Sequence, residues 1–270
     1  ILEDNRMDEK AEEILVEVSK EIAKETYNDA ARPVIKPTGQ IVGLVPRAIK
    51  AALLPVEKWI LGREYNLEET KKLLELKLEK VNPDLIESPE PYIAVPALQY
   101  ISYCMDSEAL RELYANLLAN SMNKVMKDEV HPGFTEIIKQ LSPDEAKILK
   151  ILSITGRVPI IKVRYENEKQ EGYDILRKFA TIADEAKCEK TDDIEKYLDN
   201  LERLGIIDTT TDNYLANETI YKRIEEHSSI IKLKDIPANM INRGFDQFKV
   251  KKGICELTML GKAFCKICIG

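Results

Sequence analysis

Apolar positions along this chain recur mostly at three- and four-residue spacing, between long stretches of Glu and Lys. Ile14, Leu15, Val18, Ile22 and Tyr27 form one such stripe and predict a helix over residues 7–29. The most apolar run follows, over residues 33–62. Within it Ile41, Leu44, Val45, Ala48, Ile49, Ala52, Val56, Trp59 and Ile60 fall on one side of a helix, and Arg47, Lys50, Glu57 and Lys58 on the other. Pro46 and Pro55 predict two short helices there in place of one long one. A face this broad must be hidden against protein, a partner chain or a lipid surface. Further helices are predicted over residues 67–81, from Ser88 as cap with Pro89 in its first turn, and from Asp106 or Ser107 to about Lys127. Pro96 either kinks the second of these or starts it, and Val125 belongs to the buried face of the third.

The rhythm changes after residue 141. Ser142-Pro143-Asp144-Glu145 predicts a capped helix start, with Ser as cap and Glu closing a capping box, and the helix runs to about Ile154. Residues 158–164 alternate as a strand, 173–186 are predicted helical, and Thr191 or Asp192 caps a helix that Gly205 closes. Residues 206–209, 248–250 and 254–257 read as strands, the last two around a Lys-Lys-Gly turn, and Thr258 starts a closing helix. The fold class expected is therefore mainly α. Residues 1–141 form an N-terminal helical bundle, and residues 142–270 a winged helix-turn-helix-like α+β domain with an insertion at about 211–247.

Charge narrows the function classes. The formal net charge of -7 lies in the first 140 residues, and the remainder is balanced. That charge argues against a general nucleic-acid coat, because polyanion binding rests on Lys and Arg. Five cysteines without framework spacing suit a reducing compartment, and no signal peptide is read in the charged first thirty residues. Residues 33–62 hold too many charges and prolines for a simple membrane span. The expected location is cytoplasmic, with peripheral contact to the inner membrane open to the apolar helix.

Candidate chemistry is sparse. In the recognition-helix position, residues 192–204, Asp192, Asp193, Glu195, Asp199 and Glu202 outnumber Lys196 and Arg203, which opposes entry into a major groove. Lys232, Lys234, Arg243, Lys249, Lys251 and Lys252 form a basic set that offers phosphate contact through a wing; the plainer reading is a solvated basic hairpin. Cys265 and Cys268, with Cys255 upstream, lack the fourth ligand zinc requires and read as buried thiols. His131 before Pro132 reads as a turn residue. No phosphate-binding glycine loop, dinucleotide fingerprint, nucleophile elbow or zincin motif occurs, so the chain reads as a non-enzyme with no metal and no cofactor.

Three stretches, GQIVGLVPRAIKAALLPVEKWILG, ESPEPYIAVPALQYISYCMDSEALRELYANLLANSM and HPGFTEIIKQLSPDEAKIL, resemble the abortive-infection alpha family, most specifically at residues 112–122 and 131–149. The resemblance spans roughly residues 31–200, with weaker likeness in LTMLGKAF. It implies bacterial defence against phage, and the family offers no catalytic motif to transfer. Two mechanisms follow. The chain is a non-enzymatic effector that releases the 41–61 face onto an anionic membrane, with Ile41, Leu44, Val45, Ile49, Ala52, Val56, Trp59 and Ile60 as the contact face. Or it is a sensor or adaptor whose winged-helix-like half binds nucleic acid or a phage protein. The partners these readings imply are an anionic membrane surface, a phage- or operon-encoded protein trigger, nucleic acid, and a second copy of the chain meeting it across the 41–61 face.

Overall fold

Residues 46–51, 67–104, 106–234 and 244–270 are described by the structure, a computed structural model. They fall into two compact units. One holds the described residues of Ile1–Met105 with Tyr114–Thr135, and the other Asp106–Leu113 with Glu136–Gly270.

The first unit is helical. Residues 46–51 form a helical segment, followed by α1 (Leu67–Leu78), α2 (Pro91–Ile101) and the latter part of α3 (Glu108–Ser121). α1 buries Thr70, Leu74 and Leu78, a four-residue repeat along one face. α2 buries Ile93, Ala94, Ala97, Leu98 and Ile101. Tyr100 stacks on Tyr114 of α3 with ring centroids 6.5 Å apart. Each fully buried Leu or Ile contributes about 1.5–3 kcal/mol, so these helices are held by packing more than by propensity. Ile86 and Asn123 form an antiparallel bridge, with Glu87 N donating to Met122 O and Lys124 N to Leu85 O, each at 2.9 Å.

Two sequence expectations are corrected here. α2 begins at Pro91, not Pro89, with Glu90 extended at φ -61 and ψ 130. A proline biases the preceding residue away from the helical region, so Pro91 forbids a helix already running through Glu90. α3 ends at Ser121 instead of near Lys127, and Val125 is 65% exposed, not buried. Asn123 Oδ1 accepts from Val125 N at 3.0 Å, a local turn that competes with continuing the helix. The other end agrees with expectation, since Ser107 Oγ accepts from Leu110 N at 3.4 Å.

The second unit contains α4 from Glu136 onward (Gly133–Lys139), α5 (Pro143–Thr155), β1 (Arg157–Glu166), β2 (Gly172–Phe179), α6 (Ile182–Glu185), α7 (Ile194–Arg203), β3 (Ile207–Thr210), α8 (Glu218–Glu225), α9 (Ser228–Lys234), β4 (Gln247–Leu257) and α10 (Met259–Cys268). The four strands form one antiparallel sheet in the order β2-β1-β4-β3. Helix and strand are thus mixed, as an α+β class requires. α5 stops at Gly156, whose φ of 71 only glycine adopts without cost, and the chain turns directly into β1. Thr258 accepts from Gly261 N and starts α10. A Cβ on Gly261 would lie 2.0 Å from the Ile206 carbonyl, so α10 rests on the backbone that leads into β3.

Here too the sequence reading is partly overturned. Residues 172–179 form a strand, not the start of a helix. The preceding turn directs it: Asn167 Oδ1 accepts from Lys169 N and Glu171 N, Gln170 takes φ 63, and β2 folds back along β1. The expected Lys-Lys-Gly turn is absent. Lys251, Lys252 and Gly253 continue β4, paired with Lys162, Ile161 and Ile160 of β1. Pairing with β1 supplies a continuous ladder that overrides the turn signal of one glycine.

Candidate functional site

The Ser142 capping box builds a cleft of about 630 Å³ in the second unit, lined among others by Gln140, Asp144, Glu145, Lys190, Tyr197 and Asn200. Ser142 Oγ accepts from Glu145 N, and Glu145 Oε2 accepts from Ser142 N at 2.5 Å. Glu145 Oε1 accepts from Asn200 Nδ2 at 2.8 Å. Asp144, 6% exposed, accepts from Glu189 N at 3.0 Å, Lys190 N at 3.2 Å, Tyr197 OH at 3.0 Å and Lys147 Nζ at 2.9 Å. Burial alone pushes the Asp144 carboxyl up, but Lys147, the two backbone N–H groups and the tyrosine hold it down at about 2. Burial, and after it Asp144, push the Cys188 thiol up to about 11 and the Tyr197 phenol upward. The cleft therefore holds an ionised Asp144 carboxylate that accepts from four donor groups, beside the protonated Tyr197 phenol, with the protonated Cys188 thiol behind it on the Asp144 carbonyl.

α7 explains its own acidity. Glu195 Oε1 accepts from Arg177 N of β2 at 3.1 Å. Asp199 and Glu202 both bond Lys178, and Glu202 Oε1 also accepts from Thr209 N at 3.1 Å and Thr209 Oγ1 at 2.6 Å. These carboxylates dock the helix on β2 and β3, although Asp199 also stays more than half exposed.

The basic residues divide. In the β1–β4 ladder Lys162 is opposite Lys251, and Arg164 is opposite Lys249. Directly opposed residues share a face, so these four cations lie together. Asp174, opposite Arg164 on β2, bonds Lys162 at 2.8 Å, and Glu166 lies 3.4 Å from Arg164 Nε. Lys249 and Lys251 are exposed and have no carboxylate partner among the described residues. Lys252 points to the other face, where it bonds Glu218 and lies 5.5 Å over the Tyr221 ring. Lys232 and Lys234 are exposed on α9, whose Leu233 carbonyl accepts from the Tyr165 hydroxyl; Tyr165 alternates with Arg164 and so belongs to the Lys252 face. Arg243 lies outside the described residues. The sequence reading missed Lys162 and Arg164, although both show the two-residue spacing of Lys249 and Lys251.

Of the apolar face, Ile41, Leu44, Val45, Ala52, Val56, Trp59 and Ile60 lie outside the described residues, as does the predicted helix over 7–29. Ile49 is buried at 1% exposure, between exposed Arg47 and Lys50. No helix among the described residues is long and apolar enough to cross a membrane. Cys255, Cys265 and Cys268 are buried, and burial raises all three thiols, the first two to about 12. His131 Nδ1 accepts from Gly133 N at 3.0 Å, a turn contact.

A family model described as abortive infection alpha matches residues 62–268. No curated protein matches the chain. A solved structure of an uncharacterized protein from the hydrocarbon-degrading marine bacterium Alcanivorax borkumensis SK2 is similar over 54% of this chain and 96% of its own, at 16% identity and a TM-score of 0.38. A likeness at that level carries no argument about fold or function.

Proposed function

We propose a binding role in phage defence for this chain, which belongs to the abortive infection alpha family. In this reading it acts without catalysis, and its second unit is a winged-helix-like recognition module. α5, β1, the α6–α7 pair, β3, β4 and α10 follow the order of such a module, and the β1-β4-β3 ladder suits it. β2 and the α8–α9 pair are additions to that plan. The observation that carries the binding role is the contrast in charge use: the cleft and α7 carboxylates are committed to internal bonds, while Lys249 and Lys251 are left without one among the described residues. A fold of this kind does not by itself carry nucleic-acid binding, and an acidic α7 opposes the usual route. The test is the plating efficiency of phage on cells expressing the chain. Protection is expected to survive His131→Ala and Glu145→Gln in variants that melt like wild type. Loss of protection in either, with the fold intact, would favour a catalytic role and sink the binding reading.

A second reading keeps the 41–61 segment as a membrane effector held covered at rest. The buried Ile49 between exposed Arg47 and Lys50 supports it, because that is the disposition of an amphipathic helix whose apolar side is protected. A trigger would have to favour the uncovered state. Dye release from anionic liposomes on addition of trigger, abolished by Trp59→Asp, is the expected result; leakage unchanged by Ile49→Asp and Trp59→Asp rejects it.

A further inference from the structure

The sheet places two like-charged pairs side by side, Lys162 with Lys251 and Arg164 with Lys249. Like charges directly opposite one another on a sheet destabilise it, so a ladder built only for stability would set carboxylates there. This one does so on the β2 side, where Asp174 meets Arg164 and Lys162. It does not do so on the β4 side. Lys252, one residue on, bonds Glu218 on the opposite face. The protein as a whole is acidic, with a net charge of -7, so a local excess of cations runs against its general field.

We infer that this face binds the phosphate backbone of a single-stranded nucleic acid, with Lys249 and Lys251 as contacts beside Lys162 and Arg164, whose own charges Asp174 and Glu166 meet. The inference rests on the reading of the second unit as a recognition module and names its ligand. Alternate residues on a strand are about 6.8 Å apart, which suits successive phosphates of an extended single strand. Duplex readout from a major groove is opposed by α7, whose acids are fixed against β2 and β3. An anionic membrane is a poorer fit, because interfacial binding needs apolar side chains beside the cations. Among the described residues the large exposed apolar side chains include none on β1, β2 or β4.

The experiment is fluorescence anisotropy of the full chain with a labelled oligothymidylate, against a labelled duplex of equal length, over a salt series. Wild type is expected to prefer the single strand. Lys249→Gln/Lys251→Gln is expected to weaken binding about tenfold and to lower the salt slope by about 1.4, the value for two lost phosphate contacts on a single strand. Lys232→Gln/Lys234→Gln, on the other face, is expected to bind as wild type does. The inference is overturned if wild type ignores the single strand, prefers the duplex, or binds equally well without Lys249 and Lys251. It is also overturned if anionic vesicles or polyglutamate displace the oligonucleotide from those lysines at equal charge concentration. Absent oligonucleotide binding with phage protection retained rejects this ligand and leaves the binding role standing.

Discussion

The N-terminus of α5 and the open end of the β1–β4 ladder treat charge in opposite ways. Around Asp144 a buried carboxylate receives two backbone N–H groups, a phenol and a lysine, and it ties α5 to the 189–190 segment and to α7. Around Lys249 and Lys251 exposed cations face other cations across the ladder. A buried charge is tolerated only when hydrogen bonds replace its water, so the first arrangement is structural. Lys249 and Lys251 reach water, where their repulsion with the part-buried Lys162 and Arg164 has only a small cost, and no ion pair among the described residues depends on them. The difference separates charge that the fold depends on from charge that it merely carries.

The largest effect expected is at Asp144. Asp144→Asn removes the charge that its four donors surround and is expected to lower stability by about 2–3 kcal/mol. Its pH dependence sharpens the assignment. The folded carboxyl is held at about 2, below its usual 3.8, so its contribution is complete above about pH 4 and disappears as pH falls through about 2. Urea midpoints of wild type and Asp144→Asn should therefore differ at pH 7 and converge toward pH 2. A constant difference across that range would show that shape, not charge, matters there.

Ser142→Ala comes next. It removes the side-chain acceptor for Glu145 N and is expected to cost about 1 kcal/mol, read from the urea midpoint at neutral pH. Glu202→Gln should cost less than 1 kcal/mol. Burial pushes that carboxyl up, Lys178 and Thr209 more than offset it, and partial exposure screens the pair. A loss above 2 kcal/mol would place Glu202 with Asp144 as a buried node.

How much of this contrast was legible in the sequence depends on sequence separation. The Ser142 box was readable because its partners are three residues apart. So were the Thr258 cap, the Gly205 stop and the alternation of β1. The Asp144 node was not readable, since its donors at 189, 190 and 197 arrive through tertiary folding. β2 lies inside the 173–186 stretch that the sequence predicts as helical, and only pairing with β1, out to Phe179, makes it a strand. Nearness along the chain groups the basic residues from Lys232 to Lys252 into one set. Strand alternation instead divides Lys252 from Lys251, and the ladder adds Lys162 and Arg164 from nearly ninety residues away.

The smallest effect is the one that tests the comparison most directly, because its sign is unusual. Lys249→Gln/Lys251→Gln removes two charges from a protein and, if those charges serve no fold contact, should leave stability unchanged or raise it by a few tenths of a kcal/mol. Relief of repulsion with Lys162 and Arg164 is the cause, so the gain should be present at low ionic strength and fade in high salt, where exposed charges are screened. The measurement is the pair of urea midpoints at the two salt concentrations. A destabilisation beyond about 0.5 kcal/mol exceeds what a neutral surface change produces. It would mean that the lysines hold the sheet together as Asp144 holds α5, and the division between structural and carried charge would fail at its clearest point.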